Sequence, residues 1–96
     1  NLPAAVEVAC YRITQEALTN VVRHSRAQHC TIILCAADKL FIDVQDNGIG
    51  LSEHYRSGVG LRSMRERAEE LGGTFTITSS EKGTRLVATL PLMGKE

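Results

Sequence analysis

The stretch DVQDNGIGL, residues 43–51, ends a strand-like run and then places two glycines around one apolar residue. Reading backwards, Leu40, Ile42 and Val44 share one parity, and Asp46 shares it too. Side chains alternate faces along a strand, so Asp46 belongs on the same covered side as those three apolar residues. A carboxylate turned towards a core costs roughly several kcal/mol unless something hydrogen-bonds it. Asp46 therefore marks a point where an apolar layer meets a polar partner, and Gly48 and Gly50 free the backbone just beyond it.

Two hairpins and two helices follow from the pattern on either side. CTIILCAA and LFIDVQD flank Asp38 and Lys39 and read as an antiparallel hairpin, and TFTITSS and TRLVATLPL around EKG read as a second. Upstream, Val6, Cys10, Ile13, Ala17 and Val21 recur at three- and four-residue steps, which predicts an amphipathic helix from about Pro3 to Ser25. Downstream, Leu61, Met64, Ala68 and Leu71 predict another, stopped by Gly72 and Gly73. Its charges fall at helical spacing and suggest exposed pairs, Arg62 with Glu66 and Arg65 with Glu69. The order helix, strand, strand, loop, helix, strand, strand predicts a two-layer α/β sandwich, with the helices on one face of a mainly antiparallel sheet.

A chain of 96 residues makes one domain with one modest core. Eleven basic residues balance eleven acidic ones, so no basic field invites nucleic acid, and two Tyr, two Phe and no Trp give no base-stacking platform. No signal-peptide pattern is present, and the apolar run TIILCAA is too short to span a bilayer. Cys10, Cys30 and Cys35 are odd in number and lack Cys-x-x-Cys spacing, so they read as reduced core residues. With no initiator Met at Asn1, the sequence reads as a fragment or a processed chain.

Four of the eight glycines, at 48, 50, 58 and 60, bracket the polar loop LSEHYRS, residues 51–57. Gly58 and Gly60 stand at the start of the second helix, where unpaired N–H groups and the helix dipole favour an anion such as phosphate. Either glycine pair alone is ordinary turn chemistry. Neither a Rossmann fingerprint nor a Gly-Lys-Ser/Thr loop is present. On the first helix, Glu16 and Asn20 lie about 40° apart at the margin of the apolar stripe, with Arg23 and His24 one turn on. A carboxylate, an amide oxygen and a cation on one edge suit a nucleophile, a hard metal ion and a phosphate. The same residues also suit a solvated flank.

Taken in order, these motifs resemble the ATP-binding domain of bacterial sensor histidine kinases, in the superfamily shared with gyrase and heat-shock protein 90. QEALTNVVRHS is similar to that family's N box, DNGIGL to its G1 box, GVGLRSMRERAEELGG to its G2 box and KGT to its last glycine-threonine element. The wording is nearest the subgroup that signals to response regulators with helix-turn-helix output domains. The resemblance implies a Bergerat ATP-binding fold with a mixed, mainly antiparallel sheet, and Mg-ATP as cofactor. It makes Asn20 the Mg²⁺ ligand and Glu16 the catalytic residue near the γ-phosphate. Arg23 and His24 fall beside the phosphates or ribose, and Asp46 on the adenine amino group. Gly48 and Gly50 leave room for the base, Gly58, Gly60 and Leu61 belong to the lid and its helix, and Thr84 helps Asp46.

It further implies a fragment, residues 1–96, of a longer homodimeric kinase. That kinase would supply its own dimerisation and phosphoacceptor domain and pass the phosphoryl group to a response regulator. None of the three histidines sits in a helix resembling that acceptor. The domain itself is expected to be cytoplasmic, without nucleic-acid or membrane contact, whether or not its parent is membrane-bound. A stand-alone switch ATPase of the anti-sigma-factor type, phosphorylating Ser, is the other reading, and the full-length gene separates the two.

Overall fold

A computed structural model describes residues 2–50 and 59–92. Helix α1 spans Ala4–Asn20 and continues as a π-helical turn, Val21–Ser25, until Arg26 leaves the helix in a left-handed conformation (φ 55°). Strands β1 (Cys30–Ala36) and β2 (Lys39–Asp46) form the first hairpin, turning at Ala37 and Asp38. Helix α2 spans Val59–Glu70, and β3 (Thr74–Ser80) and β4 (Gly83–Pro91) form the second hairpin. The strand order is β1-β2-β4-β3, and every described pairing is antiparallel, so no parallel strand stands among the described residues.

The helices lie on one side of the sheet, α1 against β2 and β4 and α2 against β3 and β4. Val6, Ala9, Ile13 and Ala17 of α1 meet Leu40, Ile42 and Val44 of β2, Leu86, Ala88 and Leu90 of β4, and Leu61, Met64 and Ala68 of α2. Ile13, Ile42, Met64 and Leu90 are the largest fully buried side chains. Each such side chain contributes about 1.5–3 kcal/mol of burial. The 3.6-residue period of the helices and the two-residue period of the strands thus meet in one core, as the sequence predicts.

Two local details differ from the sequence expectation. Arg65 does not face Glu69. Its guanidinium stands 5.1 Å from the Phe75 ring centroid and donates to the Phe75 carbonyl at 3.1 Å, because a flat cation gains more over a ring and a fixed acceptor than in an exposed pair. Cys30 and Cys35 are exposed and only Cys10 is partly buried, because β1 lies beyond the reach of the helix layer. The predicted stop of α2 is present: Gly72 has φ 82°, and the Gly72 and Gly73 N–H groups donate to the Glu69 and Ala68 carbonyls. No described helix is long and apolar enough to cross a membrane.

Candidate functional site

Asn20 is the last residue of α1 and the only buried polar residue among those described, 6% exposed. Its Oδ1 is shielded from water and accepts no hydrogen bond. A buried amide oxygen left unmatched costs about 1–3 kcal/mol, so the position is unfavourable for folding alone. The helical period places Asn20 at the edge of the stripe, directly after Ala17, where α1 reaches the end of the sheet that bears Asp46. Thr14 Oγ1 is buried and unpartnered as well, and nothing in the structure explains it.

Asp46 ends β2, half-buried, opposite Thr84 in the register with β4. Its Oδ1 accepts the Gly48 N–H at 2.8 Å, a short loop bond that holds the carboxylate while leaving acceptor capacity free. The Thr84 hydroxyl lies 3.1 Å from that of Ser79. Asn20, Asp46 and Thr84 converge on one cavity, walled by the apolar Ala17, Val21, Val44, Ile77 and Leu86. The cavity measures about 20 Å³, enough for one water and too small for a purine. Entry of a base therefore requires this end of the core to widen.

The glycines serve closer contacts than the sequence suggests. Gly50 adopts φ 87°, and a Cβ there would collide with the Ser80 carbonyl, so it lets the loop after β2 lie against the tip of the second hairpin. Gly83 has φ 138°, and a Cβ there would strike the Asp46 carbonyl. Gly48 is buried. Gly60 lies inside the first turn of α2 rather than ahead of it, and Leu61 is a core residue, 6% exposed. Gly58 and the loop 51–57 lie outside the described residues.

Glu16 sits half-buried one turn before Asn20, Arg23 is exposed on the π-helical turn, and His24 follows on the same turn. Among the described residues no cluster of three His, Cys, Asp or Glu side chains could hold a metal by itself. The donor set instead fits an ion that takes one protein oxygen and completes its shell from phosphates and water, which is the habit of Mg²⁺.

Two further residues shape the site, and the sequence reading assigned them no role. Asn47 Oδ1 accepts the Gln28 and His29 N–H groups, each at 2.9 Å, and the Asn47 N–H donates to the His29 carbonyl. It ties the segment leaving α1 to the loop leaving β2, which fixes Asn20 and Asp46 relative to each other. Gly83 is the second. Its signal was present beside Thr84, in the glycine-threonine pair.

Known proteins bear on this geometry. The model of the histidine kinase-, DNA gyrase B- and HSP90-like ATPase family matches residues 5–94. Sensor protein VraS of Staphylococcus epidermidis is 41% identical over 99 aligned residues, covering 99% of this chain and 28% of VraS. VraS of Staphylococcus aureus is 42% identical over 95, covering 95% of this chain and 27% of its own length. The chain thus spans little more than a quarter of the curated relatives it matches. Among solved structures, the histidine kinase domain of the Erythrobacter litoralis EL346 blue-light activated histidine kinase superposes with TM-score 0.76 at 22% identity, over 94% of this chain and 49% of that one. The Acinetobacter baumannii histidine kinase AdeS gives 0.71 at 16% identity, over 86% and 45%. At these identities the two structures speak for the fold alone.

Proposed function

The chain belongs to the histidine kinase-, DNA gyrase B- and HSP90-like ATPase family, and from that premise we propose that it is the ATP-binding domain of a two-component sensor histidine kinase. It holds Mg-ATP and presents the γ-phosphoryl group to a His on a separate dimerisation and phosphoacceptor domain of the same, longer, homodimeric protein. That His passes the group to a response regulator. The work is done on the cytoplasmic side, where ATP is.

One observation carries the proposal: Asn20, Asp46 and Thr84, from three separate motifs, line a single cavity. Asp46 accepts from the adenine amino group, with Thr84 beside it. Apolar Val44, Ile77 and Leu86 offer the ring a surface once the cavity opens. Asn20 Oδ1, buried and unpartnered, is the protein's oxygen for Mg²⁺. A Mg²⁺ held by that oxygen would supply positive charge against the phosphates of the nucleotide. Glu16, one turn back on α1, orients the incoming imidazole or accepts its proton. Arg23 and His24 lie towards the phosphates or ribose, and Gly48 and Gly50 border the base. Gly60, in the first turn of α2, lets the phosphates approach the backbone there, a role the family resemblance extends to Gly58. Leu61 anchors that helix in the core.

Phosphoryl transfer depends on holding donor and acceptor in line. The test therefore uses two samples. In radiolabelled Mg-ATP the full-length kinase should acquire acid-labile label on its acceptor domain, and the 96-residue chain alone should bind ATP without acquiring any. Acid-labile label on these 96 residues, or none on the full-length protein, would contradict the proposal.

A further inference from the structure

The pairing register sets Cys30 of β1, Asp46 of β2, Thr84 of β4 and Ser79 of β3 side by side across the sheet. The neighbouring inward row holds Ile32, Val44, Leu86 and Ile77. One step of two residues thus exchanges an apolar row for one that can hydrogen-bond. Asp46 and Thr84 have their place in the proposed base site. Ser79 does not.

Its position is unlike that of the other hydroxyls on its strand. Thr74, Thr76, Thr78 and Ser80 are exposed. Ser79 is half-buried and continues the inward face of the buried Phe75 and of Ile77, which packs against the core. Its Oγ stands 3.1 Å from Thr84 Oγ1. The loop leaving β2 closes in as well: a Cβ on Gly50 would lie 2.9 Å from Ser79 Oγ, so the loop restricts where that hydroxyl can turn.

Thr84 lies between two spaces. One is the small cavity it shares with Asp46 and Asn20. The other is a polar cleft at the tip of the second hairpin, and Ser79 lines the cleft and not the cavity. A threonine hydroxyl carries one proton and two lone pairs on a free rotor. Its proton gains most towards a carboxylate, since charge-assisted bonds are roughly twice as strong as neutral ones. With Ser79 donating to Thr84 from the cleft side, the Thr84 proton is turned towards Asp46 and the base it holds, and water in the cleft is kept off the Thr84 oxygen.

We infer that Ser79 is a positioning residue for base recognition: it holds the Thr84 hydroxyl in the orientation that serves Asp46, so that affinity for adenine depends on Ser79 through Thr84. The inference rests on the proposed adenine site and adds to it a group that acts without touching the base.

The test is a double-mutant cycle on the full-length protein, read as displacement of a fluorescent ADP analogue by ADP and by GDP. Ser79→Ala should weaken ADP about three- to tenfold, the scale of one net hydrogen bond, and should weaken GDP less. A residue that only steadied the hairpin would weaken both alike. Thr84→Val should weaken ADP by a similar factor, and adding Ser79→Ala to it should change nothing further, because residues that act through one contact are not additive. Losses that multiply would overturn the inference. So would a Ser79→Ala loss equal for ADP and GDP, or no loss at all. If Thr84→Val alone binds ADP as tightly as the unmodified protein, the adenine site itself is misread and the inference falls with it.

Discussion

The inward face of β2 changes character within two residues. Leu40, Ile42 and Val44 are buried at 4%, 0% and 3% exposure, and each meets a residue of β4 that is equally buried. Asp46 continues the same face and register, yet its neighbours are the Thr84 hydroxyl, the Asn20 amide and a bond from the Gly48 N–H. One half of the strand is optimised for folding and the other is not. A buried amide oxygen without a partner and a carboxylate aimed at a core are terms that packing alone would remove. Their joint presence around one cavity is what supports placing the proposed function at that end of the sheet.

The comparison predicts opposite responses to mutation at the two ends. Ile42→Ala should cost the most stability, about 2–5 kcal/mol, read as a lower midpoint in urea unfolding. A loss below about 1 kcal/mol would mean that the core half is not packed as described. Asn20→Leu should behave the other way. Replacing an unmatched polar group by an apolar one of similar size leaves stability level or raises it. Mg²⁺-dependent nucleotide affinity should nevertheless fall by at least about tenfold, or 1.4 kcal/mol. A variant that loses stability and keeps its Mg²⁺ dependence would place Asn20 with the core instead.

The smallest effect belongs to neither end but to the open face of the sheet, where Arg85 donates to Asp43 at 2.8 Å. The hydrogen bonds and charge of Arg85 hold the Asp43 carboxyl below its usual range. A depressed carboxylate stabilises the fold above its unfolded value of about 3.9, and the contribution disappears as pH falls through the lower folded value. Asp43→Asn should thus lower the thermal midpoint slightly at neutral pH, by less at high salt, and the difference should vanish in acid. A difference that grows below about pH 4 has the wrong sign for this pair.

How far the sequence could be read follows the same division. Strict periods carry the core half, so Val6, Ile13, Ile42, Val44, Met64 and Leu86 fall where the alternation and the helical stripe predict. The polar end was legible from parity at Asp46, from the glycine-threonine element at Thr84 and from the stripe margin at Asn20. Pairwise contacts were not. Nothing local points to Arg65 over Phe75, because Phe75 stands ten residues on in β3, whereas Glu69 sits at helical spacing. The exposure of β1 is invisible as well, since CTIILCA reads only as one arm of a hairpin and the strand order alone places it at an edge. Asn47 and Gly83 act through backbone approaches between distant segments, and no window of sequence contains both partners.

The central claim is that Asp46 reads an adenine, and competitive displacement of a fluorescent ATP analogue tests it most directly. Adenine presents an amino group to the carboxylate, and guanine presents a carbonyl oxygen with no proton between. The mismatch should cost on the order of 2–4 kcal/mol, so ATP should displace the analogue roughly 30- to 1,000-fold more effectively than GTP. Asp46→Asn should weaken ATP and narrow that preference, because an amide donates as well as accepts. Equal displacement by ATP and GTP from the unmodified protein would contradict the account.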